Sequence, residues 1–200
     1  MSSDTDRAAC GVRKGVSMRV ATEVTVAELR RAWHAIEAGN FTQGIHPGAW
    51  WPDEPALPVL GAHGQSGAST LALALASAVA PARVVECVSP GASGLVSAST
   101  AELGATDDGS WLRGARGDVR IDRHAAPATV PLDVARPGEP GRPVSLTVVD
   151  VGLPPAQVLG VQSWLCGLVR DADCVVVCAV ATVPGLRRLE ATLALLPDQN

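Results

Sequence analysis

The stretch Val59-Leu60-Gly61-Ala62-His63-Gly64-Gln65-Ser66-Gly67-Ala68-Ser69-Thr70, continued by Leu71–Ala80 and closed by Pro81, decides the fold. Val59–Ala62 reads as a short apolar strand, and Ser69–Ala80 reads as a helix stopped by Pro81. The alternation of Leu71, Leu73 and Leu75 would also suit a strand. Alanine at the intervening positions favours helix, because Ala has the best helix propensity and is depleted in strands. Between the two lies a loop rich in glycine and hydroxyl residues. Such a loop can curl successive backbone N–H groups into a concave nest for phosphate oxygens, backed by the positive end of the helix that follows. A tight strand-to-helix turn would use the same glycines, but the strand before and the helix after favour the anion-binding use.

Working outward, Arg83–Val88 reads as a buried strand and Gly91–Thr100 as a small-residue loop that runs into a helix. Residues 101–143 carry the weakest signal: Val119 and Ile121 alternate as an edge strand would, and Arg136–Pro143 is a Pro/Gly loop. Val144–Val151 is a second strong strand, Pro155–Val169 a helix and Cys174–Val180 a third buried strand. Pro184 opens a last helix with Leu186, Leu189, Leu193 and Leu196 on one face, stopped by Pro197. Upstream, residues 1–24 are expected to be a disordered tail, with Met18 as an alternative start. Residues 25–57 are expected to hold an amphipathic helix over Val26–Gly39 (Leu29, Trp33, Ile36) and a Trp/Pro-rich loop. Trp50 and Trp51 in that loop are expected to cover a face or edge of the domain in preference to forming a recognition surface.

Apolar strands alternating with helices predict an α/β domain over residues 58–200, with a mainly parallel sheet covered on both faces. Ligands of such sheets bind at the carboxyl ends of the strands. That rule puts the loops at 63–69, 89–94 and 151–155 on one rim.

The composition supports a globular protein: nearly half of the 200 residues are apolar. A net charge of −4 and a pI near 5.5 argue against an intrinsic nucleic-acid footprint. No run approaches the ~18 apolar residues of a membrane span, and no signal peptide is visible. The five cysteines are scattered, and on a strand Cys174 and Cys178 would stand ~13 Å apart, too far to share a metal. A reduced, cytoplasmic protein is the expectation.

His63-Gly64-Gln65-Ser66-Gly67-Ala68-Ser69-Thr70 resembles the deviant Walker A motif of the ParA/MinD group of P-loop NTPases, Lys-Gly-Gly-x-Gly-Lys-Ser/Thr-Thr. Leu146–Asp150 with Val151 and Gly152 is similar to the group's Walker B strand and switch. Asp171–Cys178 followed by Ala181–Arg187 is similar to its next strand, loop and helix. The resemblance implies a three-layer P-loop NTPase-like fold. It further implies that residues 63–70 bind nucleotide, with ATP favoured, and that Ser69 and Asp150 organise Mg²⁺.

The departures from the group are specific. Its two lysines fall at His63 and Ala68, and the aspartate after its second strand falls at Ser89. Each lost charge-assisted contact is worth ~1.5–3 kcal/mol, so affinity should drop and hydrolysis should be slow or absent. A protonated His63, or an arginine such as Arg113 or Arg116, would be the compensation available within this chain. The group also continues past the helix that matches residues 184–196, so the expected fold lacks its C-terminal strands or the chain is truncated.

The implied function is that of a degenerate nucleotide-binding regulatory, positioning or partitioning factor, with residue usage typical of a high-GC bacterium. Its expected partners are a second copy across the nucleotide face and an unidentified protein, with no clear nucleic-acid or membrane signal. The competing reading is a pseudo-NTPase, an interaction module whose loop is a relic. A weaker one is an enzyme in which His63 works with Ser66, Ser69 and Thr70.

Overall fold

The structure is a computed structural model that describes residues 50–196; the tail, the helix expected over Val26–Gly39 and Pro197 lie outside them. The elements in order are β1 (Ala56–Gly61), α1 (Ala68–Ala78), β2 (Ala82–Glu86), α2 (Leu95–Ala98), β3 (Ala101–Ala105), β4 (Trp111–Arg116) and β5 (Val119–His124). A 3-10 turn (Pro131–Asp133) then leads to β6 (Thr147–Asp150), α3 (Pro155–Gly160), α4 (Trp164–Asp171), β7 (Val176–Cys178) and α5 (Val183–Leu193). All seven strands join one sheet in the order β3-β4-β5-β2-β6-β1-β7. The five from β5 to β7 are parallel, and β4 and β3 extend the β5 side as an antiparallel ribbon.

The middles of β1, β2 and β6 are apolar because both faces of the sheet are covered there. Val59, Val84 and Val148 pack with Ala72 and Ala76 of α1, whereas their neighbours Leu60, Val85 and Val149 pack with Val158, Leu165 and Val169 of α3 and α4. Successive side chains of a strand point to opposite faces, so this division defines three layers with the sheet in the middle. Each fully buried Val or Leu contributes roughly 1.5–3 kcal/mol. Ala72 and Ala76, four apart on α1, are fully buried, and their small size lets the helix lie close to the sheet beneath the glycine-rich loop. Trp50 packs edge-on against Trp164 of α4, with ring centroids 5.2 Å apart, so it does cover a face of the domain. Trp51 stays largely exposed.

Three expectations need correction. Val119–His124 is not an edge strand: β5 lies between β2 and β4, with Ile121 and Val119 buried. The helix expected over Pro155–Val169 is two helices. Val161 is extended, and the Ser163 hydroxyl caps α4 by accepting from the Cys166 N–H at 3.1 Å; Gly160 and this cap favour the break over a continuous helix. The strand expected over Cys174–Val180 is only Val176–Cys178, and Cys174 is exposed. Among the described residues no helix is long and apolar enough to cross a membrane.

Candidate functional site

The chain leaves β1 toward α1 on one face and leaves the adjacent β6 toward α3 on the other. Adjacent parallel strands whose connections diverge in this way open a crevice at their carboxyl ends, the usual ligand position of an open α/β sheet. A cavity of about 480 Å³ lies there, lined by residues 61–70, by Ser93 and Gly94 after β2, by Asp150 at the end of β6 and by Gly152 just beyond it. The three loops expected on one rim all contribute to it.

The loop keeps an open backbone. Gln65 and Gly67 adopt positive φ of 58° and 90°, the alternation of backbone hand that turns successive N–H groups to one side. A Cβ on Gly64 or Gly67 would meet nothing within 4 Å, so the cradle is not filled by the protein's own side chains. At Gly61 the reverse holds: a Cβ would come within 2.5 Å of the Ser66 hydroxyl, and glycine is required for the loop to fold back over β1. The first intrahelical bond of α1 runs from the Leu71 N–H to the Gly67 carbonyl at 2.9 Å, and no side chain caps the helix. The N–H groups of Ala68, Ser69 and Thr70 are therefore free for an anion at the positive end of the helix dipole.

Asp150 ends β6 beside this loop. It is fully buried, lines the cavity, and has no hydrogen-bond partner for either carboxylate oxygen among the described residues. Burial raises its pKa to about 6; the neighbouring Ser69 hydroxyl opposes the shift without closing a hydrogen bond of ordinary geometry. Keeping an unpaired carboxylate in such a place is costly, and an unpartnered buried acid facing a cavity marks a ligand position. Among the described residues no group of three or more His, Cys, Asp or Glu side chains could hold a metal. A hard cation here could take Asp150 and Ser69 from the protein and would need its other oxygen ligands from phosphate and water.

Glu86, at the end of β2, was not foreseen as part of this site. It pairs in register with Asp150, projects to the same face, and accepts a hydrogen bond from Ser93, whose hydroxyl in turn accepts from the Leu95 N–H at 3.0 Å. Burial raises its pKa, the Ser93 hydrogen bond opposes that, and the neighbouring Asp150 adds to it. Only the register between two strands distant in sequence brings these carboxylates together, so no local motif announces the pair.

The structure gathers residues 63–70 and Asp150 around one cavity. The His63 ring, however, works within the protein. The Val180 N–H donates to its Nε2 at 3.2 Å, so Nδ1 carries the proton and donates to the Gly64 carbonyl at 2.8 Å. Both ring nitrogens are engaged, which leaves none to activate Ser66, Ser69 or Thr70, and this arrangement is that of a neutral imidazole. Arg113 donates to the Glu139 carbonyl and Arg116 to the Ala98 carbonyl, and neither lines the cavity. The compensations expected from a cationic His63 or from these arginines are absent from the site. No protein-family model, curated protein or solved structure matches the chain.

Proposed function

We propose that this chain binds a nucleoside triphosphate with Mg²⁺ at the loop after β1, as a degenerate relative of the ParA/MinD group of P-loop NTPases. The observation that carries the reading is Asp150, a fully buried carboxylate with two unpartnered oxygens beside Ser69 at the mouth of an open glycine loop. Ser69 and Asp150 would hold Mg²⁺, which supplies positive charge to the phosphates when bound. The free N–H groups at the start of α1 bind phosphate oxygens, and Gly64 and Gly67 leave room for them. His63 positions the loop against the Val180 turn.

Ala68 and the neutral His63 leave the site without the cations that would stabilise a developing γ-phosphoryl charge, worth ~10³–10⁵ in rate in related phosphoryl transfer. Binding with little hydrolysis follows, which suits a regulatory, positioning or partitioning factor, and a second copy across the nucleotide face is the natural partner. The test is a titration with ATP, ADP and GTP in Mg²⁺. Saturable binding that needs Mg²⁺ is expected, and none at millimolar nucleotide would contradict it. The loss of both lysine positions favours a second reading, a pseudo-NTPase acting only as an interaction module, and that outcome would support it.

A further inference from the structure

The opposite face of the sheet holds a second concentration of charge that the loop does not use. Arg83 of β2 is 1% exposed and makes a two-pronged contact with the fully buried Asp122 of β5, its Nε donating at 2.7 Å and its Nη2 standing at 2.6 Å. In register with Arg83 lies Arg120 of β5, and opposite Asp122 lies Arg113 of β4, whose Nε is 3.7 Å from the other carboxylate oxygen. Arg142 joins from the Pro/Gly segment, donating to the Asp118 carbonyl at 2.7 Å with its Nη1 3.8 Å from the Asp118 carboxylate. Gly141, at φ +72°, brings that segment over the cluster: a Cβ there would sit 3.6 Å from Arg120 Nη1 and 3.8 Å from Arg113 Nη1.

Four guanidinium groups, which do not give up their protons in proteins, thus surround one buried and one exposed carboxylate. The next acid along the row, Glu54, is held by the Thr147 hydroxyl. Arg83 Nη1 and the Nε atoms of Arg113, Arg120 and Arg142 are buried and donate to nothing among the described residues. Burial lowers the pKa of Arg120; Asp122 opposes this, and Arg113, Arg142 and Arg83 add to it. Asp53, Glu54 and Glu139 line the hollow beside Arg142, so it is the unmet N–H donors, several of them close together, that fit an oxyanion able to accept from more than one guanidinium at once. We infer that Arg83, Arg113, Arg120 and Arg142 form a second anion site, for a phosphoryl group, separate from the glycine loop.

Inorganic phosphate, titrated calorimetrically at constant ionic strength, is the probe. Gly67→Val closes the loop site, and Arg120→Gln and Arg142→Gln remove donors from the cluster, with circular dichroism checking that each variant folds. The Gly67→Val protein is expected to retain saturable phosphate binding. Adding either arginine substitution to it should weaken that binding about tenfold or more. Arg142, which lies outside the sheet, carries the test if Arg120→Gln does not fold. Loss of all saturable binding in Gly67→Val, or unchanged affinity in both arginine variants, overturns the proposal.

Discussion

Asp150 combines a destabilising placement with the best ligand geometry in the molecule, and the two consequences can be separated by pH. The unfolded carboxyl titrates near 3.8 and the folded one near 6, so between those values the native state holds the extra proton. The stability this group contributes is greatest at low pH, falls by about 3 kcal/mol as pH rises through that window, and is flat above it. Asp150→Asn should therefore raise the melting temperature of the ligand-free protein at pH 8 by several degrees and change it little at pH 4, as differential scanning calorimetry would record. The same substitution should abolish Mg²⁺-dependent nucleotide binding. Ala68 lines the cavity at the first position of α1, where the resembled motif carries lysine. Ala68→Lys should tighten ATP by one to two orders of magnitude, the worth of one charge-assisted contact of ~1.5–3 kcal/mol. Gly67→Val should abolish nucleotide binding, because a β-branched side chain at φ 90° is strained and its methyls enter the open cradle.

At the scale of elements, the connections after the strands control the shape of the site. Gly152 follows β6 at φ +59°, and a Cβ there would lie 2.0 Å from Val88 Cγ1. Gly152→Ala should cost about 2–4 kcal/mol in urea unfolding through combined strain and overpacking, and it should perturb the loops after β2 and β6 together. The elements that build the site were legible in sequence where their residues act locally. The alanine run of α1, the glycines before it and the apolar runs of β2 and β6 carry their own signals. β3 and β4 were not legible, and β5 was legible as a strand but not as an interior one. β3 is Ala-Glu-Leu-Gly-Ala and exposed at every position, a composition poor in strand formers, and its strand state comes from pairing with β4. The alternation of Val119 and Ile121 with charged residues reads as an edge, but Asp122 and Arg123 are buried, Asp122 paired with Arg83 of the adjacent β2 and Arg123 with Glu102 of β3, and Arg120 is half-buried.

For the whole molecule, the strand order explains why Glu86 and Ser69, 64 and 81 positions away in sequence, both meet Asp150. β6 inserts between β1 and β2, so Asp150 arrives beside the loop after β1, and Glu86 arrives beside Asp150. Glycine spacing made the loop legible, and the resemblance of Leu146–Gly152 to a Walker B strand made Asp150 legible; the Glu86 pairing and the arginine cluster depend on register alone. The central claim is that this crevice holds a nucleoside triphosphate through a cation on Asp150. Isothermal titration of ATP into the protein, in Mg²⁺ and again in excess EDTA, tests it most directly. Saturable binding in Mg²⁺ that disappears in EDTA and in Asp150→Asn is the predicted result; absence of saturable binding at millimolar ATP, or binding indifferent to both changes, would contradict it.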